Sequence, residues 1–182
     1  MPTSHPTPTA ALTVADLPPA PPDAIRLNKL VRAPREHVFQ LWTDPAHFNK
    51  WFAPGPKTTC DAQMDVRVGG SLRFAMNDGK NDHIGIGEYT AVDAPNLLAF
   101  TWSWETMPDF GAGSLVTVHF FDAPNPYDDT PATEVVLTHE RLGSAVERSE
   151  HIGGWWDTLR ALGYYARGVE PREAMHGSAA TQ

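Results

Sequence analysis

Residues 144–168 read SAVERSEHIGGWWDTLRALGYYARG. Ser144 followed three residues on by Glu147 is a capping box, a hydroxyl and a carboxylate placed to satisfy amide donors that a helix start leaves unpaired. Ile152, Trp155, Leu159, Leu162 and Ala166 then recur at steps of three and four, which aligns them on one face of an α-helix. Trp156 and Gly163 border that stripe, and Gly168 and Pro171 are stop signals. The spacing predicts a helix over Ala145–Arg167 whose apolar stripe needs a matching surface.

The chain before it supplies that surface as short strands. Thr133–Arg141 places Val135, Leu137 and His139 on one face. Ser114–Phe121 alternates Val116, Val118 and Phe120 against Thr117 and His119. Leu97–Glu105 is the clearest strand, with Leu98, Phe100, Trp102 and Trp104 opposite Ala99, Thr101 and Ser103. Before it come strands over Thr59–Val68, Ser71–Met76 and His83–Val92, separated by Gly69-Gly70 and by a polar turn with the hairpin signal Asp78-Gly79. Gly85 and Gly87 inside a strand mark a bulge or a close backbone approach. Met107–Gly113 and Pro124–Pro131 read as loops.

The first strand is Ala24–Arg32, with imperfect alternation: Ile25, Leu27 and a weak third in Lys29 against Arg26, Asn28 and Leu30. Pro34 opens a short helix with Val38, Phe39, Leu41 and Trp42 on its apolar face. Thr43-Asp44-Pro45 ends it and caps a second over Ala46–Trp51, where His47 and Lys50 are read as facing solvent. Trp51-Phe52 running into Pro54-Gly55-Pro56 suits a core plug and a cavity wall about equally. The order is strand, two helices, about six strands, long helix. Such segregation is an α+β class with an antiparallel meander.

Composition narrows the partners. At 41% hydrophobic and 20% charged, 182 residues suit one soluble domain with a real core. The expected division is a Pro/Thr-rich disordered tail over 1–22, a domain over 23–168 and a flexible C-terminal tail over 169–182. A net charge of −8 without a basic stripe opposes nucleic-acid binding and an anionic membrane surface. No apolar run approaches the ~20 residues needed to span a bilayer, and no secretory signal is read at the N-terminus. A single cysteine, Cys60, fits a cytoplasmic setting and excludes a thiolate zinc site within the chain.

Catalytic motifs with fixed spacing are missing: no Gly-x-Gly-x-x-Gly, phosphate loop, Gly-x-Ser-x-Gly or His-Glu-x-x-His occurs. His83, His119, His139 and His151 can gather only against strand parity, since His119 falls on the outer face. They are read as unrelated, with no metal and no cofactor expected. His139 is the one candidate acid or base, a weak one, because imidazole titrates near neutral pH. The plainer reading, a hydrogen-bonded histidine at the sheet rim, is favoured. Arg148, one turn before Ile152, suits a ligand carboxylate, but an ion pair with Glu147, Glu150 or a loop acid is the expectation.

An ordered set of short motifs carries a family resemblance. Ala33-Pro34 before Val38-Phe39 and Trp42, then Thr43-Asp44-Pro45, Trp51-Phe52-x-Pro54, Gly69-Gly70-x-Leu72-x-Phe74, Gly87-x-Tyr89, Leu98-x-Phe100-Thr101-Trp102, Thr138-His139-Glu140 and Gly154-Trp155 occur in sequence over roughly Ala24–Arg167. This resembles the START-like (SRPBCC, helix-grip) superfamily, and most closely the branch named after activators of the heat-shock protein 90 ATPase. The resemblance implies a Bet v-like curved antiparallel sheet of six to seven strands around the C-terminal helix, with a hydrophobic cavity between them.

That cavity would be lined by Phe74, Met76, Phe100, Trp102, Trp104 and Val118 from the sheet, Trp155 and Leu159 from the helix, and Trp51 and Phe52 at its mouth, with His139 and Arg148 as its polar groups. Binding of a small apolar or aromatic molecule, more in keeping with a carrier than an enzyme, is the first expectation. A cyclase, dehydratase or hydrolase using the same cavity is the second. A chaperone-associated interaction module is the third, and a protein partner or homodimer is compatible with any of them. Chaperone activators of this kind carry a separate N-terminal docking domain, and here a Pro/Thr-rich tail stands in its place.

Overall fold

The computed structural model describes residues 12–53, 55 and 58–176. Seven strands form one antiparallel sheet: β1 (Ile25–Val31), β2 (Thr59–Met64), β3 (Ser71–Asn77), β4 (Asp82–Asp93), β5 (Leu97–Trp104), β6 (Ser114–Ala123) and β7 (Ala132–Glu140). Their order across the sheet is β1-β7-β6-β5-β4-β3-β2. β2 to β7 therefore follow one another as hairpins, while β1 pairs with the far end of the meander, Ile25 opposite His139 and Val31 opposite Thr133. Helices α1 (Arg35–Thr43) and α2 (Pro45–Trp51) fill that connection. The sheet curls around α3 (Ala145–Tyr165), the helix read first in the sequence.

Local chemistry explains the boundaries. Asp44 caps α2 by accepting the Ala46 amide proton at 2.8 Å, and Pro45 takes the first helical position, where a missing N–H costs nothing. At α3, Ser144 Oγ accepts from the Glu147 amide at 3.1 Å. The reciprocal arm of the box goes elsewhere: the Glu147 carboxylate accepts from the amides of Gly143 (2.9 Å) and Gly111 (3.2 Å). It thereby ties the β5–β6 loop to the helix start.

Several sequence readings need correction. The second strand ends at Met64 rather than Val68, because residues 65–70 close a turn through Asp65, Arg67 and Gly69, whose φ is +80°. Gly85 and Gly87 mark close approaches, to the Phe74 ring and the Thr101 carbonyl, and the bulge lies further along, between Tyr89 and Ala91. The helix stops at Tyr165 rather than Arg167, and Gly168, at φ +72°, turns the chain.

The two tails also hold structure. Val14–Asp16 is a 3-10 turn, and Arg26 donates to the Pro18 carbonyl at 2.7 Å. Pro171–His176 forms α4, with Pro171 buried and Met175 against the core. Residues 1–11 and 177–182 of the expected tails lie outside the described residues.

The core is a continuous run of aromatics between sheet and helices. Phe48 stacks on Phe52 at 4.1 Å, Phe52 meets Phe74 at 4.8 Å edge-on, and Phe74 meets Trp102 at 5.0 Å. Trp102 in turn meets Trp104 and Trp155 at 5.2 and 5.1 Å. Such tilted and edge-on pairs add about 0.5–1.5 kcal/mol each beyond the area they bury. The inward faces of β5 and β6 are those predicted, and His119 sits on the outer face, stacked on Phe121.

Candidate functional site

Between α3 and the β3–β5 end of the sheet lies a cavity of ≈ 230 Å³. Trp102 and Trp104 from β5, Met76 from β3 and His83 from β4 form the sheet wall, and Phe52 follows α2. Met107 and Phe110 come from the β5–β6 loop. The helix contributes Glu150, His151, Gly154, Trp155 and Thr158. The size is below the roughly 300–1,000 Å³ of sites for drug-sized molecules, so it suits something near a single ring.

Five of the expected cavity residues line it: Phe52, Met76, Trp102, Trp104 and Trp155. Phe74, Phe100, Val118 and Leu159 are buried one layer back, in the core. Trp51 is a plug: it is fully buried, and its indole donates to the Leu41 carbonyl at 3.0 Å. Arg148 stays outside, 3.7 Å from the carboxylate of Asp23 rather than beside Glu147 or Glu150. The helix stripe is also rotated from expectation. Ile152 is exposed, and the buried positions are His151, Trp155, Thr158, Leu159, Ala161 and Leu162. His47 is half-buried, 2.9 Å from the Tyr165 hydroxyl.

The histidines divide in a way parity did not reveal. His139 and His151 lie edge to face with ring centroids 4.8 Å apart. Each accepts an indole proton: Trp155 Nε1 donates to His139 Nδ1 at 3.0 Å, and Trp104 Nε1 donates to His151 Nε2 at 3.3 Å. An indole N–H is only a donor, so those imidazole nitrogens must be bare. The protons then sit on His139 Nε2, which donates to Ser114 Oγ at 2.8 Å, and on His151 Nδ1, which donates to the Glu147 carbonyl at 2.7 Å. The Ser114 hydroxyl in turn donates to the Gly111 carbonyl at 2.7 Å. Both rings are neutral by construction.

Electrostatics agrees with the wiring. Burial, and then the proximity of His151, push the His139 imidazole down to about 3. Burial also lowers His151, partly offset by the Glu147 carbonyl and by the charges of Glu147 and Glu150. His139 is fully buried and off the cavity surface, with both nitrogens engaged, so the weak acid/base candidate holds no proton a cavity occupant can use. The Ser114–His139 contact runs the wrong way for nucleophile activation, because the imidazole donates to the hydroxyl. No cluster of three or more His, Cys, Asp or Glu suited to a metal occurs among the described residues.

One polar group of a wall residue stands out. The Trp102 indole N–H is buried and has no hydrogen-bond partner among the described residues. An unsatisfied buried donor costs about 1–3 kcal/mol. His151 and the loop residue Phe110, which stack at 5.1 Å and 15°, were missed at the sequence level. Helix spacing held a signal for His151, which precedes Trp155 by one turn; nothing local marks Phe110.

Comparison with known proteins follows this geometry. No curated protein matches the chain. Among solved structures, a protein of Chromobacterium violaceum is 24% identical with a TM-score of 0.64, over 82% of this chain and 99% of that one. A protein of Arthrobacter aurescens is 17% identical with a TM-score of 0.66, over 84% and 91%. An AHSA1-like protein of Aeromonas hydrophila is 23% identical with a TM-score of 0.58, over 79% and 94%. These likenesses concern the fold, whose members typically carry a ligand-binding cavity. Residues 32–167 match the family described as Activator of Hsp90 ATPase homolog 1-like protein, and on that match the chain belongs to this family of helix-grip domains.

Proposed function

We propose that the protein binds a small apolar or aromatic molecule carrying one hydrogen-bond acceptor, held between β5 and α3, and does not turn it over. The observation that carries this reading is that Trp102, a residue lining the aromatic cavity, holds a buried indole N–H with no partner among the described residues. A carbonyl or ether oxygen that reached this N–H would satisfy a donor left without a partner among the described residues, while the ring of the ligand would displace water from Trp104, Trp155 and Phe52. With His151 neutral, the aromatic part of the wall carries no charge and Glu150 is the acid that lines the cavity, which favours an uncharged ligand over an anion. The reading includes a cytoplasmic setting, supported by the single free cysteine, Cys60, whose thiol is pushed up to about 12 by burial and is therefore unreactive.

The test is a matched pair of one-ring probes, acetophenone and ethylbenzene, titrated against 15N-labelled protein. The ketone is expected to bind about five- to tenfold more tightly, corresponding to one hydrogen bond of about 1–1.5 kcal/mol, and to move the Trp102 indole resonance. In Trp102→Phe the preference should vanish, while thermal stability holds or rises because the orphan donor is gone. Millimolar ketone that shifts no cavity resonance would defeat the proposal.

A further inference from the structure

A second hollow lies on the other flank of α3, against the sheet-edge strand β1, and has a volume of ≈ 540 Å³. Its character is the opposite of the first. Lys29 and Arg32 reach it from β1 and the residue after it, and Arg160 and Arg167 from the last turns of α3 and just beyond. Two carboxylates accompany them: Asp128 pairs with Arg32 at 3.0 Å, and Asp157 with Arg160 at 3.3 Å. Four cations against two acids leave a local excess of positive charge in a chain whose net charge is −8.

We propose that this cleft binds a phosphorylated aromatic anion of nucleotide size, its phosphates held by Lys29, Arg160 and Arg167 and its ring laid on Trp156. The inference is independent of the aromatic cavity and of any ligand there.

Three observations support it. The first is crowding. Burial, and then the charges of Arg160 and Arg167, lower the Lys29 amine from its ordinary value. No carboxylate within ion-pair distance of Lys29 or Arg167 is found among the described residues, so an incoming anion is the partner that relieves the repulsion. Screening over about 8 Å at physiological ionic strength hides the chain's distant acids from a ligand inside the cleft. The second is room. A Cβ on Gly163 would stand 3.0 Å from Lys29 Cε, so the stem of Lys29 lies across the helix where this glycine leaves space. A glycine there weakens the helix against alanine, and what occupies the freed volume is the lysine.

The third is the aromatic lining. Trp156 lines the cleft with about half its surface exposed, and it takes no part in the ring packing of the core. Two of the guanidiniums already lie over aromatic faces, Arg32 over Tyr127 at 5.1 Å and Arg167 over Tyr164 at 5.4 Å. Such stacking pre-orients planar forks that suit phosphate oxygens. An exposed indole beside them is a platform for a planar base.

Isothermal titration calorimetry of the full chain with ADP, pyrophosphate and adenosine tests the proposal. Saturable ADP binding is expected, weakened at least fivefold between 50 and 300 mM NaCl. Pyrophosphate should bind more weakly than ADP, and adenosine not at all. Lys29→Met and Arg160→Gln should each lose about tenfold, and Trp156→Leu should bring ADP down to the level of pyrophosphate. Thermal midpoints and far-UV circular dichroism establish that each variant is folded, and Trp156, at the surface, provides a readout even if Lys29→Met is destabilised. The proposal is overturned by no ADP binding at 5 mM, by ADP binding that survives Lys29→Met and Arg160→Gln unchanged, or by pyrophosphate binding as tightly as ADP.

Discussion

His139 and His151 show how two tryptophans can set the protonation of two imidazoles. With an indole N–H pointed at one nitrogen of each ring, protonation there would break a hydrogen bond and bury a charge. The consequence is a pH-dependent stability with a definite sign. Below the ordinary histidine value of 6.5 the unfolded chain takes up protons that folded His139 refuses until about pH 3. The unfolded state therefore binds more protons in that window, and stability falls as pH drops from about 6.5 towards about 3. Each excluded proton contributes at most about 1.4 kcal/mol per pH unit. Urea unfolding of His139→Gln at pH 7 and pH 5 should show a smaller drop between the two than the natural chain, together with about 1–3 kcal/mol lost at pH 7 from the broken network. An unchanged drop would mean that His139 is not the group excluding the proton.

At the scale of elements, α3 carries two adjacent glycines in mid-helix, Gly153 and Gly154, and a Cβ at either would meet nothing within 4 Å. Only Gly154 lines the aromatic cavity. Gly153→Ala should therefore raise stability by about 0.5–1 kcal/mol and leave ligand binding alone. Gly154→Ala should stabilise by a similar amount while narrowing the cavity, so acetophenone binding should weaken. Equal binding by the two variants would show that the helix backbone at 154 does not bound the ligand. Glu147 has a comparable local role. Replacing it with Gln keeps the side-chain length but weakens its charge-assisted bonds to Gly111 and Gly143, so hydrogen exchange at the Gly111 amide should speed up by about tenfold.

Elements of this kind were the most legible part of the sequence. Period-two alternation in residues 97–104 and 114–121 and the Ser144 cap depend on chain neighbours alone, and they appear in the fold nearly where they were read. The rotation of α3 was not legible. Ile152 and His151 are adjacent, and hydrophobicity favoured the isoleucine. What decides the matter is Trp104 on β5, 47 residues away, which offers an indole proton that only the histidine can accept. The division of aromatics into wall and core was hidden for the same reason. Phe74 and Met76 share a face of β3, and the ring of Phe74 is seated over Gly85 on the next strand while Met76 reaches the cavity.

Over the whole molecule, the sheet grips one helix that faces two unlike spaces. One is apolar and internal, behind Trp155; the other is cationic and at the edge, beside Trp156. If both proposals hold, the two adjacent tryptophans report separately. Quenching of Trp156 by ADP should be independent of acetophenone, and a mutual change in affinity would instead reveal coupling through α3, equal in both directions by linkage. Sequence reading found the helix. The basic cleft escaped it because Lys29, Arg32, Arg160 and Arg167 are scattered along the chain and gather only when β1 folds beside α3.

The pairing of the first strand with the last has a consequence in time. Arg26 and Thr138, joined side chain to side chain at 3.1 Å, are 112 residues apart. At about 5–20 residues per second on a ribosome, roughly 6–22 s separate the synthesis of β1 from that of β7, its partner in the sheet. During that interval the hairpins of β2 to β6 can form in order, but the N-terminal strand waits as an open edge. Closing the sheet, and with it assembling the basic cleft, is then among the last events of the protein's birth.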